Sequence, residues 1–150
     1  MDLMDLMDSE KFHKILNDEL QKFDFIIFAI LFGSQAENKS TSISDIDIGI
    51  YSKIDLKLHD IGLISVCLEK ATTKKTDVIV LNDLYKKNPF LSFQIVSKGN
   101  LIFCKDVNVL VSFKSKTFLY YLDVKPLYDQ INRSLLNRLK NDRFGDRDYA

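Results

Sequence analysis

Apolar positions change their spacing several times along this chain, and each change predicts an element. Phe12, Ile15, Leu16, Leu20 and Phe23 step by three and four, the period of a helix with one buried stripe, and Ser9 reads as its N-cap. Residues 1–8 are read as a frayed leader outside that helix. The continuous run Phe25–Phe32 ends at Gly33 and reads as a central strand buried on both faces. Asp45–Tyr51 then alternates strictly, with Ile46, Ile48 and Ile50 on one side and Asp45, Asp47 and Gly49 on the other.

Residues 55–71 return to helical spacing and stop at a Thr-Thr-Lys-Lys stretch. Asp77–Leu81 predicts a third strand, Asn88-Pro89 the start of a helix running through Val96, and Leu101–Cys104 a short fourth strand after Lys98-Gly99-Asn100. Beyond Asp106 the chain reads helical to about 145, with Tyr121, Val124, Tyr128, Ile131, Leu135 and Leu139 in one stripe, on which Tyr128 is read as packing in the core. Pro126 lies inside it, so a kink is expected, or two helices meeting near Asp123–Lys125. The pattern is that of an α/β (α+β) chain, a small sheet with helices and a C-terminal helical tail. No linker or shift in composition divides it, so one domain over residues 1–150 is expected.

Charge changes the picture by exclusion. Lys+Arg and Asp+Glu number 21 each, and a net charge of zero argues against direct nucleic-acid binding. The longest apolar run is far shorter than the roughly 20 residues of a membrane helix, and the acidic N-terminus lacks the basic start of an export signal. A cytoplasmic protein is expected. Cys67 and Cys104 fit no metal spacing and are read as reduced core thiols, and His13 and His59 as surface or partly buried helical residues.

The chemistry concentrates in Leu31-Phe32-Gly33-Ser34, a ten-residue gap, and Asp45-Ile46-Asp47. Gly-Ser after a buried strand, followed by a short helical turn, offers backbone N–H groups and a hydroxyl as a phosphate cradle. Aspartates at i and i+2 of a strand share a face and can hold one hard divalent cation or bridge two. Phosphate and dicarboxylate sites on adjacent strands suit Mg2+-assisted transfer of a nucleotidyl group. A third carboxylate should come from a neighbouring strand: Asp77 is the choice and Asp83 the fallback, although Asn82-Asp83 reads as a turn or helix cap. Each motif alone is more often a common turn or a solvated strand face; their coincidence favours the functional reading. Lys39 could reach phosphate from the gap but reads as exposed. Arg133, Arg138, Lys140, Arg143 and Arg147 read as a solvated helix face, with a partner-docking surface as the sharper alternative.

Gly33-Ser34-x10-Asp45-x-Asp47 resembles the signature of the DNA polymerase beta-type nucleotidyltransferases. Leu31–Ala36 and Ser44–Ile50 are similar to the minimal nucleotidyltransferases (MNT), encoded beside HEPN-domain partners as toxin–antitoxin pairs. Thr76–Asn82 looks like the family's third-carboxylate strand, and Leu101–Phe103 and Tyr121–Tyr128 like its later strand and C-terminal helix. The resemblance implies a mixed sheet flanked by helices, with ATP and Mg2+, two ions, at its edge. It implies that Asp45 and Asp47 hold metal, that Asp77 is third ligand and general base, and that Gly33 and Ser34 position the triphosphate. For the antitoxin branch it implies transfer of AMP to a tyrosine of a HEPN ribonuclease toxin, which silences it. A non-catalytic antitoxin that occludes its partner, or a nucleotidyltransferase acting on a small molecule of the aminoglycoside type, is the alternative. So small a chain has little wall around an acceptor. The acceptor is therefore expected to arrive on another folded protein, docked on an apolar face left over on the tail.

Overall fold

Seven consecutive apolar residues can be buried together only in the middle of a sheet covered on both faces, and Ile26–Phe32 (β1) takes that place. All seven are buried. The computed structural model describes residues 3–33 and 45–141. In chain order they form α1 (Leu3–Gln21), β1, β2 (Ile46–Ser52), α2 (Leu58–Thr72), β3 (Thr76–Val80), α3 (Leu84–Lys87), α4 (Pro89–Lys98), β4 (Asn100–Cys104) and α5 (Val107–Lys140). The sheet order is β3-β2-β1-β4, with β1 antiparallel to both neighbours and β2 parallel to β3. This is a mixed sheet flanked by helices.

Two clusters cover its faces. On one, Leu16 and Leu20 of α1 and Ile64 and Leu68 of α2 pack on Ala29, Leu31, Ile46, Ile48 and Ile50. The alternation of β2 explains this directly: its three isoleucines are fully buried, each stabilising by about 1.5–3 kcal/mol. On the other face, α3, α4 and α5 bring Leu84, Tyr85, Ile95, Leu110 and Phe113 against Phe28, Ile30 and Phe32. Phe28 is stacked on Tyr51 at 5.0 Å and tilted against Phe113 at 5.7 Å. The Asn82 side chain clamps the far end of the sheet, accepting from the Ser52 N–H and donating to its carbonyl at 3.0 and 2.7 Å.

Local signals held at several boundaries. The Asn88 side chain accepts from the Leu91 N–H at 3.2 Å, with Pro89 next in the first turn, and Gly99 closes α4. Glycine is needed there for space, because a Cβ at Gly99 would run into Ile30 and the Ile95 carbonyl. Asp83 stands at the N-terminus of α3, at the opposite end of β3 from Asp77.

Four expectations are corrected. The first helix begins at Leu3, so Ser9 lies within it and residues 3–8 belong to it. No Gly or Pro separates them from the rest, and Met and Leu propagate a helix readily. Two helices meeting near Asp123–Lys125 are not found: the tail is a single helix of 34 residues that runs through Pro126. Proline there removes one backbone hydrogen bond, on a stretch of helix where Leu122 and Leu127 are exposed. Tyr128 is not a core residue: it is 45% exposed and only sets its ring against Phe90, at 4.3 Å. Cys67 and Cys104 are free thiols but half-buried rather than enclosed.

Candidate active site

Chain direction assembles the site. Because β1 runs against β2, the end of β1 lies beside the start of β2. Because β3 runs with β2, its start falls at the same edge. The register sets Asp47 between Phe32 on β1 and Asp77 on β3. Asp45, two residues earlier, shares the face of Asp47 by strand alternation. This is the α3–α5 face of the sheet, beyond the end of the aromatic cluster. Asp45 and Asp77 are exposed and Asp47 is half-buried.

Gly33 follows Phe32 with φ +75°, in the left-handed region, and a Cβ at that position would collide with Asp47 Oδ2 and lie 3.3 Å from its Cγ. Backbone conformation and the approach of the carboxylate both require glycine here. Ser34 and Lys39 lie outside the described residues, as does the whole gap 34–44. Asp45, Asp47, Asp77 and Gly33 are thus brought together, while Asp83, His13 and His59 are not.

The electrostatics follow from crowding. Burial pushes the Asp47 carboxyl above the usual carboxylate range, and the negative charges of Asp77 and Asp45 push it further. Among the described residues none of the three aspartates makes an ion pair. A carboxyl raised in the folded state penalises folding increasingly as pH climbs from the ordinary carboxylate value to the raised one, and the full penalty persists at neutral pH. Asp47→Asn should therefore raise the melting temperature of the metal-free protein at neutral pH, by about 2 °C after allowance for solvent screening. The gain should vanish below the carboxylate range, as thermal melts across pH would record.

Hard carboxylate oxygens under mutual repulsion suit a divalent cation. Among the described residues no three His, Cys, Asp or Glu side chains converge into a metal cage of their own. A divalent cation at this edge would draw on these carboxylates together with water and substrate phosphate.

The family model described as polymerase beta nucleotidyltransferase matches residues 14–108, well over half of the chain. The chain belongs to the polymerase beta nucleotidyltransferase family. The matched span of this nucleotidyltransferase contains all four strands, Gly33 and the three aspartates. Its fold resembles that of a toxin–antitoxin crystallised with AMP-PNP, at TM-score 0.66 and 21% identity over 85% of this chain and 98% of the other. It also resembles a chain from the complex of tri-AMPylated Shewanella oneidensis HEPN toxin with MNT antitoxin, at TM-score 0.62 and 20% identity over 87% and 98%. A third likeness is to the toxin–antitoxin MntA–HepT, at TM-score 0.61 and 20% identity over 87% and 98%. No curated protein matches the chain.

Two structural features were poorly marked in the sequence. Asn82 read as a turn residue, and its role in tying the end of β2 to the segment after β3 depends on two positions thirty residues apart. Lys75 read only as part of a helix stop, yet it stands beside Asp45, since the Ile46 N–H donates to the Lys75 carbonyl at 2.9 Å.

Proposed function

We propose that this nucleotidyltransferase is the antitoxin of a toxin–antitoxin pair, working in the cytoplasm as an ATP- and Mg2+-dependent protein adenylyltransferase. It transfers AMP to a tyrosine of a HEPN ribonuclease toxin and so inactivates it. The observation that carries the reading is the edge where Asp47 stands in register with Asp77, with Asp45 on the same face and Gly33 against Asp47. The neighbours whose names include an antitoxin, AMP-PNP and an AMPylated toxin supply the acceptor class by analogy of fold.

Asp45, Asp47 and Asp77 would hold Mg2+, two ions, and Gly33 and Ser34 would position the triphosphate. When bound, the metal neutralises phosphate charge and acidifies the attacking hydroxyl. Asp77 accepts the hydroxyl proton as the acceptor oxygen bonds to the α-phosphorus and pyrophosphate departs. The left-handed backbone at Gly33 lets the chain approach the phosphates without a side chain in the way. Gly33→Ala would force that backbone toward another region and move Asp47, so ATP affinity is expected to fall by about tenfold or more, read by equilibrium titration with Mg-ATP.

The acceptor protein would dock on α5. This helix is roughly 50 Å long and buries only Leu110, Phe113 and Thr117. Past Tyr128 all its described residues are exposed. Leu127, Ile131 and Leu135 line a shallow groove there with Gln130, Ser134 and Arg138. So much unpartnered apolar surface is costly in water and marks an interaction site. Among the described residues no helix is long and apolar enough to cross a membrane. The reading is tested by the intact mass of the HEPN partner after incubation with Mg-ATP: adenylyl adducts should appear with this chain and not without it.

A further inference from the structure

Among the described residues, the edge that carries the aspartates also carries a cation, Lys75, to which the reaction above gives no task. Ile46 pairs with Thr76 and Asp47 with Asp77. One position further toward the open edge, Lys75 therefore stands beside Asp45, and alternation places it on the side of Asp77. Its neighbours fix the sides. Lys74 sets its Nζ 5.6 Å from the ring centroid of Phe12, on the α1 side of the sheet, and Thr76 is buried. Lys75 is exposed and makes no ion pair among the described residues, although Asp45 and Asp77 flank it.

Transfer at phosphorus brings the attacking oxygen in on the side opposite the leaving oxygen. With the triphosphate over Gly33, as proposed above and on which this inference rests, pyrophosphate leaves on the β1 flank of Asp47. The acceptor then enters over the opposite flank, on β3, where Asp77 and Lys75 stand. A row of carboxylates repels an oxygen that is gaining negative charge, and a lysine ammonium beside them offsets that repulsion at close range.

We propose that Lys75 is the acceptor-side cation of this site, facing the incoming hydroxyl and stabilising the charge that grows on its oxygen. The bond that forms joins that oxygen to the α-phosphorus, and the bond that breaks joins the α-phosphorus to the bridging oxygen of pyrophosphate. The hydroxyl proton goes to Asp77, and Lys75 keeps its own protons throughout.

The experiment compares wild-type, Lys75→Met and Lys75→Arg full-length chains by two readouts: the rate of adduct formation on the HEPN partner at saturating partner, and Mg-ATP affinity by equilibrium titration. Lys75→Met should lower the rate by about tenfold while ATP affinity stays within about twofold, and Lys75→Arg should restore most of the rate. Lys75→Met working at the wild-type rate overturns the assignment. So does a loss of ATP affinity as large as the loss of rate, which would place Lys75 on the triphosphate. A wild-type chain that binds Mg-ATP and modifies no partner overturns the proposed function and this role together, whereas a modifying wild type matched by Lys75→Met overturns this role alone.

Discussion

Asp45→Ala and Asp47→Ala should each slow adenylyl transfer to the partner by about a thousandfold or more, roughly 4 kcal/mol of lost transition-state stabilisation. Each change removes a hard oxygen donor from an edge that has few to spare, since no closed cage surrounds the ion site among the described residues. It leaves the neighbouring carboxylates without a shared counter-charge at the moment the triphosphate must be neutralised. Folding should survive, because Asp45 is exposed and Asp47 carries a raised pKa that already disfavours its charged form. Asp77→Asn should slow transfer while leaving more of the Mg-ATP affinity, because it removes a proton acceptor and keeps one oxygen donor. The measurement is the time course of partner mass for each variant beside its melting curve. Adduct formation by Asp45→Ala and Asp47→Ala at wild-type rates would sink the proposed chemistry. Neutralisation of the partner that persists in the double variant with no mass change would favour the occluding, non-catalytic antitoxin instead.

The second large effect concerns assembly. Ile131→Asp combined with Leu135→Asp should weaken binding to the HEPN partner by more than about a hundredfold, with the melting temperature of the isolated chain nearly unchanged. The two residues lie one helical turn apart on the groove of α5, 57% and 41% exposed, and support no part of the core. Two buried carboxylates without partners are among the most disruptive changes an apolar interface can receive. Mg-ATP affinity should remain, because the substitutions lie beyond the part of α5 that covers the sheet. Co-purification and light scattering of the two proteins read the outcome, and a complex of wild-type stability in the double variant would remove α5 as the dock.

Legibility in the sequence varied with the range of the interactions involved. Ile46, Ile48 and Ile50 announced their burial because alternation is a property of consecutive residues, and the buried run Ile26–Phe32 announced a central strand for the same reason. Asn88-Pro89 and Gly99 marked helix ends because caps are built within a few positions. Ser9 misled: its capping signal was overridden by an unbroken stretch of helix formers before it. Tyr128 misled differently, since an apolar stripe states which side of a helix prefers cover but not whether cover is present. At Pro126 the two-helix alternative failed, because a helix can run through a proline at the loss of one backbone hydrogen bond.

By itself the amino-acid order determined the four strands and the greater part of α1, α2, α4 and α5, and that glycine and the paired aspartates occur where two strands could carry them. Those are consequences of backbone sterics and of local periodicity, written within a dozen residues. Only the tertiary structure decided that Asp77, and not Asp83, stands opposite Asp47, and that Lys75 joins the same face. It alone decided that, among the described residues, nothing covers the outer half of α5. Register between strands and the pairing of faces arise from contacts between distant parts of the chain, whose energies no short window contains.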